Sequence, residues 1–330
     1  MTARKHHWIS QGYLRGFVRA PVKTQIYTYD FKLKRSFTTN TANVAAERDF
    51  NAIDADGVPK DALENALAQI ESAAIDAIRD VAKAPQKIAD HSSRDVILNL
   101  MCLLAIRNPR LRDAHRKIST LILPNLLKNR LSTRVSYERE MQALVDQGDL
   151  KPQDVLPFDK FTDMMRDVEF PAELQQSHFL QTEFLTYLIS FSSFLEREWV
   201  TLIAPPDAGT FITCDHPVLM RPLRTGKRKF GFSDPDVAIL IPLTQSLFLV
   251  GKQTINASSY NISPIQIAEL NTEVLMSAER QIYAPSAQFE VYDDQEGRCV
   301  SGHQKLVLDK LHLSRIEHQG ERLIPFLGSL

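Results

Sequence analysis

The sequence predicts an α+β fold, a helical middle flanked by β-containing N-terminal and C-terminal segments, on three observations. Residues 25–39 carry β-branched and aromatic side chains on either side of a polar turn. Residues 61–199 repeat apolar side chains three and four apart. After Pro205-Pro206-Asp207-Ala208-Gly209 the pattern reverts to short apolar runs of strand length. The 330 residues read as one large domain, 1–330, with an N-terminal motif and hairpin (1–58), a helical region (59–204) and a mixed β/α region (205–330).

Taken in order, Gln25–Tyr29 and Arg35–Thr39 form a hairpin turning through Asp30–Lys34. A second turn follows at Asp56-Gly57-Val58-Pro59. The next helix has Asp61 as its cap, an apolar stripe of Leu63, Leu67, Ile70, Ala74, Ile78 and Val81, and Pro85 as its stop. Another helix opens at Ser92 and meets Pro109, which forces a break after Arg107-Asn108. Helical patterns continue through 111–128, with Pro124 an irregularity, and through 136–147; a long helix then covers about 172–199, opened by Pro171. Residues 210–214, 237–241 and 247–250 have strand composition, Ser263-Pro264 begins a helix to about Arg280, and 281–283 and 289–292 are late strands. Pattern alone does not assign the β segments of the two ends to one sheet.

Composition excludes several classes. Thirty-nine Lys plus Arg against 40 Asp plus Glu leave a net charge of −1, so no global field draws the chain to nucleic acid or anionic lipid. Three cysteines, Cys102, Cys214 and Cys299, lie far apart with no CxxC, which argues for a reducing, cytoplasmic setting and against a disulfide framework. No run reaches the roughly 18 apolar residues of a membrane span, and no apolar core of a signal peptide follows Arg4-Lys5. Walker, dinucleotide, His-Glu-x-x-His and Gly-x-Ser-x-Gly signatures are absent from the sequence.

Chemistry-bearing residues concentrate in three places. In His6-His7-Trp8-Ile9-Ser10-Gln11-Gly12-Tyr13-Leu14-Arg15-Gly16-Phe17, a helix would align His7, Gln11 and Arg15 on one face, a titratable imidazole, an amide and a guanidinium suited to an anion; Gly12 and Gly16 count against the helix. In Phe211-Ile212-Thr213-Cys214-Asp215-His216-Pro217-Val218, an apolar strand ends in Asp215 and His216, which serve either as reactive groups or, for Asp215, as a cap on backbone amides. Cys214 reads as a buried inert thiol. Arg107 projects from an otherwise apolar helix, whereas Arg110 and His115, at the R-x4-H spacing of small helical ribonucleases, read with Arg112 as solvated or capping. Glu47, Asp49, Glu64, Asp215 and His216 are candidate metal ligands, compatible with a divalent cation whose identity the spacing leaves unknown. Arg221, Arg224, Lys227, Arg228 and Lys229 form a basic run that suits a phosphate backbone or an exposed loop.

These segments together resemble a bacterial family of uncharacterised proteins, the DUF (domain of unknown function) family numbered 4238. Its opening His-aromatic-x-Pro-x-x-aromatic-Leu-x-x-Phe pattern is similar to residues 7–17, with Ser10 in the place of Pro. Its Glu-x-x-Phe-Tyr element resembles Glu47-Arg48-Asp49-Phe50-Asn51, with Asn51 for Tyr, and its paired Leu-Glu and Ile-Glu resemble Leu63-Glu64 and Ile70-Glu71. Its Arg-x-Pro-x-Arg and Phe-Ile-Thr-Ser-Asp-x-Pro-Val elements resemble 107–110 and 211–218, with Cys214 for Ser; Pro242-Leu243-Thr244 and Leu270-Asn271 are later landmarks. The resemblance spans about residues 6–285.

The expectation is a phosphodiester-hydrolysing, nuclease-like enzyme in which His7, Gln11, Arg15, Arg107 and Asp215 act on a nucleic acid or phosphorylated ligand. Two alternatives stand beside it. One is a non-enzymatic ligand- or nucleic-acid-binding module, of a kind used in phage defence. The other is a buried polar network that only ties the N-terminal segment to the helices.

Overall fold

A computed structural model of the chain describes residues 5–330 apart from 20–21, 23, 54–58, 123–124, 126–128, 167–175, 225–229, 258 and 308–323. The expected turn at 56–59, Pro124, the opening of the long helix at Pro171, and Lys227, Arg228 and Lys229 fall outside the described residues or at their edge. The fold is α+β. The chain divides into two compact units, Met1–Asn108 with Leu180–Leu330, and Pro109–Phe179.

In the first unit a five-stranded sheet forms the centre. Its strands are β5 (Glu198–Ile203), β7 (Leu219–Pro222), β8 (Val237–Thr244), β9 (Leu247–Lys252) and β10 (Ser259–Asn261), in the order β10-β5-β9-β8-β7, antiparallel except for β10 beside β5. Side chains alternate between two cores. Val200, Leu202, Ala238, Leu240, Phe248 and Val250 enter one; Trp199, Ile239, Ile241, Leu247 and Leu249 enter the other. Burial on both faces explains why 237–250 reads as nearly continuous apolar sequence rather than as clean alternation. Trp199 lies opposite Gly251 in the register, and a Cβ built on Gly251 would sit 2.6 Å from the indole ring, so only glycine fits beneath it.

A four-stranded sheet settles the relation of the two ends. β2 (Gln25–Asp30) and β3 (Arg35–Asn40), the expected hairpin, pair with β11 (Gln281–Ala284) and β6 (Thr213–Cys214) in the order β3-β2-β11-β6. The N-terminal hairpin and C-terminal strands therefore share one sheet. β12 (Glu290–Asp293) and β13 (Arg298–Ser301) make a separate pair. Near the N-terminus β1 (Lys5–His7) pairs with β4 (Ala46–Arg48), and β4 is bracketed by Ala45 and Asp49 in the left-handed region at φ 48° and 57°.

Helix α1 (Gln11–Leu14) follows β1, and α2 (Ala62–Lys83) buries Leu67, Ala74, Ile78 and Val81 of the expected stripe. Asp61 stands at its N-cap but makes no capping bond. Helix α3 (His91–Ile106) ends where Pro109 requires.

In the second unit α4 (Pro109–Lys117), α5 (Arg134–Asp146) and α6 (Phe158–Arg166) carry the aromatic contacts; α4 continues into a π-helical turn at Ile118–Ile122. Tyr137 packs on Phe158 and Phe161, its hydroxyl donating to the Leu156 carbonyl at 2.8 Å.

Helix α7 (Gln176–Leu195) stops four residues short of Trp199, the expected end. The reason is local. The buried Arg197 guanidinium donates to the carbonyls of Val237, Phe232 and Asp234, and the Trp199 indole donates to the Phe194 carbonyl, so the chain leaves the helix and enters β5. Helix α8 (Pro264–Ser277) starts as expected, with a Ser263–Gln266 capping box, and packs Ile267, Leu270, Val274 and Leu275 on the first core. It ends before Arg280 because the Asp215 carboxylate claims the next three free amides. Among the described residues two short helices, α9 (Gly302–Val307) and α10 (Pro325–Ser329), follow β13, and the Lys252 ammonium donates to the Leu327 carbonyl at 2.7 Å.

Candidate functional site

The N-terminal segment is not one helix. His6 and His7 lie on β1, and the helix begins only at Gln11, capped by Ser10, whose hydroxyl accepts the Gly12 amide at 3.1 Å. The strand's period of two sends His6 inward and leaves His7 half-buried. Ile9, Tyr13, Leu14 and Phe17 dock in the second core, and the Tyr13 hydroxyl donates to the Pro242 carbonyl (2.6 Å) and meets the Thr213 hydroxyl (2.9 Å). That pair fastens the opening segment to the strand carrying Thr213-Cys214-Asp215.

A polar network grows from this segment. His6 Nδ1 accepts the Asn51 backbone amide at 2.9 Å. The fully buried Asn51 side chain donates to Glu64 Oε2 at 2.5 Å, and its oxygen accepts from Arg107 Nη2 at 2.7 Å. An amide suits this position because separate atoms of one rigid group offer a donor to the carboxylate and an acceptor to the guanidinium. Glu64 and Glu71 stand seven residues apart on α2, two turns, and so face the segment together. Arg107 reaches it from the C-cap of α3, where its ψ of 77° ends the helix.

Electrostatics bring two groups toward neutrality. Burial, with the Lys5 charge, lowers the His7 imidazole below 6.5, against the opposing pull of Glu64 and the carbonyls of Val44 and Ala45. Burial raises the Glu71 carboxyl, against a Ser10 hydrogen bond and the Arg107 charge, and Glu64 adds to the rise. Gln11 Nε2 lies 3.0 Å from His7 Nε2. With its amide nitrogen toward the ring, Gln11 donates to Nε2 and the ring proton belongs on Nδ1; with its oxygen there, the tautomer is the other one. His7 Nδ1 and the Trp8 indole nitrogen are buried without a hydrogen bond of full geometry among the described residues.

His7, Gln11 and Arg107 are thus linked with Glu64 and Glu71 in one neighbourhood. Arg15 shares a helical face with Gln11, its backbone amide donating to the Gln11 carbonyl, but is solvent-exposed. Asp215 belongs to a different set of contacts. Its carboxylate accepts the backbone amides of Glu279, Arg280 and Gln281 at 2.9, 2.7 and 3.2 Å, the capping role, while burial pushes it up to about 6. The neighbouring Asp30 is also buried; Leu33, Gln281 and Arg280 outweigh that burial and hold it below the usual carboxylate range.

The other candidates disperse. Glu47 and Asp49 are exposed, Asp49 beside Arg48 at 3.4 Å, and His216 engages the Cys214 sulfur and Ser277 through its backbone. Among the described residues no group of three or more His, Cys, Asp or Glu is placed to hold a metal. Arg221 pairs with the buried Glu273, and Arg224 lies 3.7 Å from Asp236. Arg112 is buried rather than solvated, its guanidinium over Phe179, and His115 stacks on His178 at 5.1 Å. Cys102 and Cys214 are buried, and burial pushes the Cys102 thiol to about 12.

Sequence reading did not count His6, Ser10, Asn51 and Glu71 among the site residues. Asn51 and Ser10 were visible only as departures from a family pattern, and the Glu64–Glu71 spacing was the one signal that two carboxylates share a face. No curated protein and no solved structure matches the chain. The model of the family described as "Protein of unknown function (DUF4238)" matches residues 5–288, which include β1, Asn51, Glu64, Glu71, Arg107 and Asp215, and the chain belongs to that family.

Proposed function

We propose that this protein is a cytoplasmic acid–base hydrolase of phosphodiester-type substrates, working at the N-terminal polar cluster. The observation that carries the reading is the pairing of a His7 imidazole lowered by burial with a Glu71 carboxyl raised by burial, both within the field of Glu64 and Glu71 also within that of Arg107. Shifts toward neutrality from opposite sides suit a general base and a general acid at one pH. Water attacks the phosphorus and loses its proton to His7 Nε2 once the Gln11 amide releases that nitrogen, and Glu71 gives its proton to the leaving oxygen. Arg107 and the exposed Arg15 balance charge on the phosphoryl group. Asp215, spent on three backbone amides, has no part in this chemistry.

A second reading, a ligand-binding or purely anchoring network, is favoured by Asn51, whose side chain is satisfied wholly inside the protein. Cleavage of RNA, single-stranded DNA and duplex DNA, with and without divalent cations, separates the two. His7→Gln and Glu71→Gln are expected to lower turnover by about 100-fold or more while the melting temperature stays close to wild type. Absence of cleavage by wild type, with unchanged nucleic-acid affinity in His7→Gln, would overturn the hydrolase.

A further inference from the structure

Helix α7 buries one side and leaves the other bare. Tyr187 stacks on Phe191 and donates to Asn99 of α3 at 3.2 Å, while Glu183, Ser190 and Phe194 are buried. On the opposite side Phe184, Leu185, Leu188, Ile189 and Leu195 stand open, Ile189 at 71% exposure. Gln181, Leu185, Leu188, Ser192 and Leu195 follow spacings of four, three, four and three, the seam of a two-helix coiled coil, flanked by Phe184 and Ile189. These apolar side chains expose on the order of 500 Å², at the top of what a monomer usually shows in one patch.

We propose that this face is a self-association surface whose occupant is the same face of a second copy, lying antiparallel. Two such faces remove about 1,000 Å² of apolar area before any rim is counted, near the lower bound of a stable interface. A two-fold axis between Thr186 and Tyr187 sets Leu185 against Leu188, Phe184 against Ile189, and Gln181 against Ser192, so the centre of the seam pairs apolar with apolar and polar with polar, while Leu195 at its end meets His178. Parallel pairing would bring the two exposed Glu196 carboxylates together and align the helix dipoles. A lipid surface fits poorly, because residues 176–196 contain no Lys or Arg to meet a headgroup.

Sedimentation equilibrium of the full chain tests this. Wild type is expected to be dimeric at about 50 µM, and Leu185→Glu and Leu188→Lys each monomeric, melting as wild type does once it is diluted to the monomer. Mixing the two variants is expected to restore a heterodimer, since antiparallel pairing sets Glu against Lys. A wild type still monomeric at about 200 µM, or a dimer indifferent to either variant, overturns the proposal. So do flotation of wild type with phosphatidylcholine–phosphatidylserine vesicles, variants that both melt below wild type at a concentration where wild type is itself monomeric, and a mixture that stays monomeric.

Discussion

At the scale of the residue, Asn51 is the keystone of the N-terminal cluster, and its loss is costly for a specific reason. Removing the amide takes one hydrogen bond each from the half-buried Glu64 carboxylate and the buried Arg107 guanidinium, and a charged group that loses a bond away from water costs more than the bond itself contributed. Asn51→Ala is expected to destabilise the protein by about 3 kcal/mol in urea unfolding, with an unchanged denaturant slope. Little of this was legible beforehand. His7, Gln11 and Arg107 were picked out by type and spacing, but a side chain that bridges two distant helices leaves no mark in its own neighbourhood of sequence. Asp215 shows the converse: its capping role was one of two readings of Asp-x-Pro, and three backbone amides decide for it.

At the scale of the element, legibility followed length and local chemistry. The hairpin, α2 and the capped start of α8 were readable because their signals lie within a few residues of one another. The three-residue strands β1 and β4 were not, since they exist only by pairing across forty residues. The helical alignment of His7 with Gln11 gave way to a strand–turn–helix that still brings the two side chains to 3.0 Å. This opening segment is structural ballast as well as a candidate site: Ile9, Tyr13, Leu14 and Phe17 are almost wholly buried. Fully burying four such side chains contributes about 6–12 kcal/mol, comparable to the whole stability of a domain. Deleting residues 1–17 is expected to abolish the cooperative unfolding transition and leave the chain open to limited proteolysis; a truncated protein melting within a few degrees of wild type would contradict that assignment.

At the scale of the molecule, the five-stranded sheet separates two cores, and the polar cluster lies with the core that holds the opening segment, α2 and α3. Fold class was legible because composition changes sharply along the chain. The joining of the ends in β3-β2-β11-β6 was not, because strand order is set by long-range pairing that periodicity does not encode. Among the described residues no helix is long and apolar enough to cross a membrane. All the chemistry proposed here turns on a neutral His7 that offers Nε2. Its direct measurement is a ¹H–¹⁵N NMR titration of the full chain, with the His7 signal assigned by its loss in His7→Gln. The ring is expected to titrate below 6.5 with its proton on Nδ1 at neutral pH. A ring that titrates at or above 6.5, or that carries its proton on Nε2, would contradict the acid–base site.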